Sequence, residues 1–498
     1  MGLVLPDRRE AIVRLGLAIA GLAGVSRAAR AAAALESAGD PILALAARIR
    51  DGSRDGAWEA AAEAVRAGAR PETLLGAVFL AGAEDIRPRP HGTLHAVMMV
   101  ESACQLSSAA GAAPRAAWHP ALFNLDELKS AQEDDRREWG DYRMKPLAVA
   151  PGRSAEAARR ELVAALDAYD PERAERAAAG LAGVADAHAF FETLRPFTAR
   201  CYAFIGHKAI YATQVERVLG RIGWRHAEPA ARSLVLALLV GRQTEGHERA
   251  LELARGLPAG ALEPGRSSAG AERADELVRA LRTATPTAAA ESVAGALRAG
   301  LGSASAWDAI VLAGADVFQR RPGRRSSDGR LSLLPVHAVT VPSALRSSFE
   351  TARDPVTKGV LLLQAASWAA RMRDDLGQLV GLSMQGPSLA PAGGRASLDE
   401  VLEDAEPASA MGWLERGAGR TGELIAALRA SLARRGRESH QHKLAGALGE
   451  EAGRVDASLR ARLVAPAVDY LANPRDADTE VFLRAERALD GAGIARGA

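Results

Sequence analysis

Ten histidines offer the chain's clearest chemistry. Two of them, His91 and His95, stand four apart in Pro88-Arg-Pro-His91-Gly-Thr-Leu-His95-Ala-Val-Met-Met-Val-Glu101. On a helix, residues four apart share a face, one turn from each other. Two imidazoles so placed can hold one metal ion. They can equally be core histidines with satisfied rings, because HxxxH alone is a short motif. His207, His337 and His440 also stand at, or just inside, the start of an apolar helical pattern. Helices that converge on one cavity are how helical proteins build metal sites. Imidazole-rich ligation suits iron, zinc, copper or nickel rather than calcium or magnesium. His247 lies among charged residues and reads as exposed, as His119 and His188 partly do. His226, in the turn from Trp224 to Pro229, fits either a place near the site or the core.

Lys443 follows His440 by three residues and so shares its helix face. Beside a metal and away from water, an ammonium is driven towards the neutral amine. A neutral amine can add carbon dioxide to become a carbamate, an anionic oxygen ligand. The competing reading is a solvated head on a stem lying along the surface. Spacing alone favours that second reading, since lysine is rarely buried. Glu101, Glu216, Glu228 and Thr340 are acceptors that could hold the second nitrogen of a ligand ring, although Glu216 suits the surface better. Tyr211, Phe204, Trp224 and Met98 could line an apolar pocket or simply fill the core.

The elements that must position these residues read as helices. The chain has 498 residues, of which 48% are hydrophobic, 25% charged and only 4% aromatic. Alanine, leucine, arginine and glutamate are strong helix formers, and period-two apolar runs are almost absent. An all-α protein is expected, built as one large helical array or bundle with its histidine-bearing helices facing inward. The length would allow about three domains, but helical arrays run longer as one unit. Pro335 and Pro342 predict a broken helix or a tight lead into one around His337. The stretch from Gly359 to Arg373 predicts a buried helix. Residues 385–410 read as a linker.

Sixty-three basic and 61 acidic residues give a net charge of +2, which argues against a nucleic-acid surface read by bulk charge. Cys104 and Cys201 form no disulfide framework and no metal knuckle, and buried free thiols are expected. Near the start, Arg8-Arg9, an apolar run from Leu15 to Val25 and Ala29-Arg30-Ala31 fit a three-part export signal of the twin-arginine kind. This divides the chain into a signal over residues 1–31 and a helical domain over 32–498. It predicts an exported, periplasmic protein. The other reading is an ordinary first helix of a cytoplasmic one. The run is too short for a membrane span, and no other stretch reaches about 18 uncharged apolar residues, so no stable span is expected.

Four spaced motifs carry a resemblance: His91-x-x-x-His95, His207-x-x-x-Tyr211, Val336-His337-Ala-Val-Thr340, and His440-x-x-Lys443 before Leu444 and Ala447-Leu448. In this order, spanning most of the chain, they resemble the questin oxidase-like family, which includes anthraquinone ring-cleaving dioxygenases. The resemblance implies a helical protein with mononuclear non-haem iron, Fe(II), held by four histidines and a carboxylated lysine. It also implies oxidation of a fused aromatic ketone or quinone-like substrate by dioxygen, with a Baeyer–Villiger-type or ring-opening outcome. Five histidines compete for four places, so one of them would orient a ligand instead of being one. The twin-arginine start and the turn from Trp224 to Pro229 depart from the fungal members, which points to a distant bacterial branch with its own substrate. Two alternatives stand beside this reading: a zinc-dependent hydrolase using the same histidines, and a non-catalytic helical scaffold.

Overall fold

The computed structural model describes residues 39–495, apart from 90–91, 112, 149–153, 243–244, 266–269, 322–331, 386–388, 394, 396, 418, 472–473 and 475. The twin-arginine segment and His91 lie outside the described residues. Among those described, all regular structure is helical and there is no strand. No helix among the described residues is long and apolar enough to cross a membrane.

Most helices begin as their sequences dictate. Asp40-Pro41, Asp170-Pro171, Thr285-Pro286 and Asp354-Pro355 each place a side-chain cap directly before a proline at the first helical position. The cap satisfies a backbone N–H that has no partner within the helix, and the proline lacks the N–H that would otherwise go unpaired. Three helices are buried along most of their length and form the centre of the molecule: Pro71–Asp85, Ser303–Gln319 and Pro355–Val380. The last contains the whole stretch from Gly359 to Arg373. Amphipathic helices such as Glu245–Arg255 and Glu480–Gly491 lie outside them. Residues 385–410 hold one short helix, Leu398–Asp404, and the start of another, Pro407–Leu414, besides the linker expected there.

Four helical segments carry the histidines and Lys443. His95–Met98 continues past Met99 into Val100–Ala109, which packs on Ser439–Arg454. His207–Ile222 packs on His337–Thr351, which in turn packs on Ser439–Arg454, Ser303–Gln319 and Pro355–Val380. Pro335 sits in a 3-10 turn leading into the His337 helix and Pro342 lies inside that helix, so the tight lead is present and the helix continues through its second proline. Gly314 sets one spacing: a Cβ there would lie 2.0 Å from the Ala338 carbonyl oxygen, so only glycine lets the two backbones approach. Cys104 and Cys201 are both buried and free.

Candidate metal centre

Each described histidine of the predicted set opens its helix. His95 follows a 3-10 turn, Gly92–Leu94, and His337 follows another, Leu334–Val336. His440 is the second residue of Ser439–Arg454. His207 follows three consecutive residues in the left-handed region, Phe204, Ile205 and Gly206, with φ of 57°, 49° and 76°. Such backbone costs about 1–3 kcal/mol for each non-glycine residue and persists only where the surroundings enforce it. The enforcing contact is close at hand: a Cβ on Gly206 would lie 2.6 Å from Val341 Cγ2 of the His337 helix. Because helical Cβ atoms tilt towards the N-terminus, side chains at these starts project beyond their helix ends into a shared space.

There the rings meet. His207 Nε2 lies 3.0 Å from His95 Nε2 and 2.9 Å from His337 Nε2. The ring of His440 is centred 4.2 Å from that of His95 and 5.0 Å from that of His337. Ligand nitrogens of His95, His207 and His440 all lie within 4.8 Å of one another. All four rings are buried.

Tautomers follow from the outer nitrogens. His337 Nδ1 is 3.1 Å from the Leu334 carbonyl oxygen and His440 Nδ1 is 2.6 Å from Glu438 Oε2. Both partners only accept, so each Nδ1 carries the proton and each Nε2 turns a lone pair inward. Burial pushes His95, His337 and His440 below the ordinary histidine value. The charge of Lys443 adds to this at His95 and His440, and His207 adds to it at His337. These rings are therefore neutral at pH 7. His207 Nε2 can give a proton to only one of its two neighbours, and His440 Nε2 is buried with no hydrogen-bond partner among the described residues. Inward lone pairs without donors are costly. A cation among them removes that cost.

The separations of 3.0 and 2.9 Å are those of a direct hydrogen bond between neighbouring rings. One term opposes a cation, since helix N-termini carry partial positive charge. Each is worth about 0.3–1 kcal/mol, small beside the about 10–16 kcal/mol of structural zinc in zinc-finger peptides, so the helix starts do not preclude a cation.

Lys443 is 3% exposed, and its Nζ is buried with no hydrogen-bond partner among the described residues. Burial pulls the amine down to about 8, against the opposing pull of Glu438 and Glu127. Glu438 is the carboxylate of this site. Burial would raise it, but His440 and Lys443 hold it down to about 2. Glu127, on the helix Pro114–Trp139, is pushed up to about 8 by burial and by the charge of Glu438.

The predicted supporting residues are mostly engaged elsewhere. Glu101 is clamped by Arg221 at 2.6 and 2.8 Å. Glu216 takes Arg195 at 2.6 Å and Glu228 takes Arg232 at 2.8 Å. The Tyr211 hydroxyl meets Ser233 Oγ at 2.7 Å, and Trp224 donates to the carbonyls of Ala182 and Ala185. His226 is buried 3.3 Å from Asp40. Thr340 lines a cleft with Lys443 and donates back to the Val336 carbonyl at 3.2 Å. His247, expected at the surface, is buried because it lies on the inward stripe of its helix with Ala250 and Leu253.

Sequence reasoning missed Glu438, which accepts both from the His440 ring and from its backbone N–H at 2.7 Å. Its position two residues before His440 at a helix start was the available signal. It also missed Trp368, which donates to the His337 carbonyl at 2.9 Å, and His442, which stacks on Phe123 with ring centroids 4.0 Å apart. No protein-family model, no curated protein and no solved structure matches this chain.

Proposed function

We propose that the chain is a metal-dependent oxidoreductase, a mononuclear non-haem iron oxygenase acting on an aromatic or polycyclic ketone or quinone-like substrate. The observation that supports this most directly is the convergence of four buried imidazoles beside an unpartnered buried amine. His95, His207, His337 and His440 would hold the ion, and Lys443, as a carbamate, would supply the anionic oxygen. Iron with an open position supplies dioxygen activation. The resemblance to questin oxidase-like enzymes supplies the substrate class.

The protein's own residues have definable tasks in this reading. Glu438 holds the His440 proton on Nδ1 and keeps Nε2 directed inward. The Leu334 carbonyl does the same for His337. The surrounding helices exclude bulk water from the rings, which strengthens each charge interaction there. Glu127, protonated at neutral pH, is a carboxylic acid available to donate a proton near Lys443.

The test is metal analysis of protein expressed and purified without added metal, followed by oxygen uptake with a panel of fused aromatic ketones and quinones. About one iron per chain and substrate-dependent oxygen consumption are expected. Zinc in its place would favour the hydrolase, and a metal-free, metal-refractory protein would favour the scaffold.

A further inference from the structure

A thiol and an amine that the candidate centre does not use meet on the far side of the His207 turn. Cys201 lies between the helices Ala187–Thr198 and His207–Ile222, and Lys208 is the second residue of the latter. The two are 4% and 2% exposed. The left-handed turn Phe204–Gly206 runs between them, and the Lys208 amine interacts with the Cys201 thiol. A Cβ on Gly241 would lie 3.6 Å from the Cys201 sulfur and 3.9 Å from the Lys208 nitrogen, so both groups face one spot. The sulfur accepts from the Ala203 N–H at 3.3 Å, and the amine donates to the Gly241 carbonyl at 3.4 Å.

A buried thiol in apolar surroundings is inert, but these surroundings differ. Gly241 is exposed, so the pair lies just beneath the surface, behind a residue without a side chain. A cavity of about 10 Å³ is lined by Cys201 and Lys208 together with the half-buried Tyr169 and Arg200. That is about the least room that holds one water-sized molecule. The sulfur faces an N–H and an amine, and positive neighbours of this kind favour the attack of sulfur on peroxides. Cys104 has the opposite setting: burial and the charge of Glu101 push its thiol up to about 12. Once a thiol is oxidised to a sulfenic acid, it either condenses with a nearby nucleophile or goes on irreversibly to sulfinic acid. Lys208 is the nucleophile at hand.

We propose that Cys201 and Lys208 form a reversible redox site, in which hydrogen peroxide oxidises the thiol and the lysine amine captures the product as a sulfenamide. The sulfur attacks one peroxide oxygen; the S–O bond forms, the O–O bond breaks, and the other oxygen leaves as water with the thiol proton. Sulfur loses two electrons and the peroxide gains them. The Lys208 nitrogen lone pair then attacks sulfur; the N–S bond forms, the S–O bond breaks, and the departing hydroxide takes one N–H proton to leave as water. The balance is thiol plus amine plus H2O2 giving sulfenamide plus two waters. A dithiol reverses it, returning thiol and amine while becoming a disulfide. The ring so closed runs through the turn that leads into His207, so oxidation fixes the backbone at that helix start. The site needs no metal and does not depend on the oxygenase reading.

The experiment treats the full chain with hydrogen peroxide and reads its tryptic peptides by mass spectrometry. Cleavage after Arg200 opens a peptide at Cys201, and a linked Lys208 resists cleavage, so the product runs from Cys201 to Arg217. It should be two hydrogens lighter than the unmodified sequence, and dithiothreitol should restore both the thiol and cleavage at Lys208. Lys208→Arg keeps the positive charge and Lys208→Met keeps the stem, but neither has an amine to condense; circular dichroism checks that each folds. In both, the link should vanish and sulfinic acid at Cys201 should rise about tenfold over wild type. Cys104 should stay reduced in the same digests. A wild type without the linked peptide would overturn the proposal, as would wild-type sulfinic acid levels in a folded Lys208 variant. Cys104 oxidised as readily as Cys201 would also overturn it, because the pair would then confer no special reactivity. Two variants at Lys208 keep the test decisive if one of them fails to fold.

Discussion

Glu438 has two tasks at the start of the His440 helix. Its carboxylate caps the backbone N–H of His440 and takes the Nδ1 proton of the same residue. Glu438→Gln keeps the size and loses the charge, and it should weaken metal binding about 10–100-fold, as expected for a group that orients a ligand. Alanine at His95, His207, His337 or His440 should remove most of the metal, and titration of each variant with iron reads the difference. Lys443→Arg keeps the positive charge and cannot form a carbamate, so it should lose metal. Lys443→Glu supplies an anion directly and should retain a fraction of it. Wild-type iron content in the arginine variant would make Lys443 a bystander. A residue far from the centre carries a pH prediction. Burial and the charge of Arg200 lower His247 to about 4, so the folded state refuses a proton that the unfolded chain accepts below about 6.5. Its contribution to stability is present above pH 6.5 and is lost as pH falls towards 4. In thermal melts between those values, His247→Gln should lose stability less steeply than wild type. In the sequence His247 reads as a surface residue because Glu248 and Arg249 flank it, and one-dimensional neighbours do not reveal which side of an amphipathic helix a residue occupies.

Three of the four histidine-bearing helices lack a side-chain cap. Many other helices open with Asp, Ser or Thr caps, and that grammar is readable from the sequence, as is the all-helical fold. Those of His95, His207 and His337 have no side-chain cap and begin from 3-10 or left-handed turns. Such starts leave the first residue's side chain free to project into the shared space. The motif spacing could suggest that histidines lie at helix starts, but not that the starts meet, because meeting depends on backbone approach. Gly314 and Gly206 control that approach. Gly314→Ala must push a pair of packed helices apart by moving backbone, for which about 1–3 kcal/mol is the usual cost of overfilling a core. Gly206→Ala adds strain at φ 76° and a clash with Val341 beside His207. Both variants should melt at lower temperature, and Gly206→Ala should also lose metal affinity out of proportion to its stability loss. Affinity unchanged in a folded Gly206→Ala protein would show that the turn does not set the position of the ring.

On the scale of the whole molecule, the centre ties together segments that lie far apart in sequence: Ser439 and His95, whose Oγ and Nδ1 are 3.5 Å apart, are separated by 344 residues. An ion held by all four imidazoles binds the folded chain and has no preformed site in the unfolded one, so it must raise stability by mass action. At a free metal concentration of about a thousand times Kd, the gain is about 4 kcal/mol. For a chain of 498 residues, an unfolding entropy of about 2 cal/mol/K per residue turns this into a rise of about 4 °C in Tm. The same geometry predicts an opposite sign without metal. Inward lone pairs and the unpartnered His440 Nε2 burden the metal-free fold, and function commonly keeps such burdens in place. His440→Ala should therefore match or exceed wild type in Tm when both are stripped by chelator, and fall below it when both are saturated with iron. Calorimetry of the two proteins in both states measures this crossing. If the chelated variant melted well below chelated wild type, His440 would be an ordinary packing residue, and if iron left the wild-type Tm unmoved, the four rings would not be a metal site.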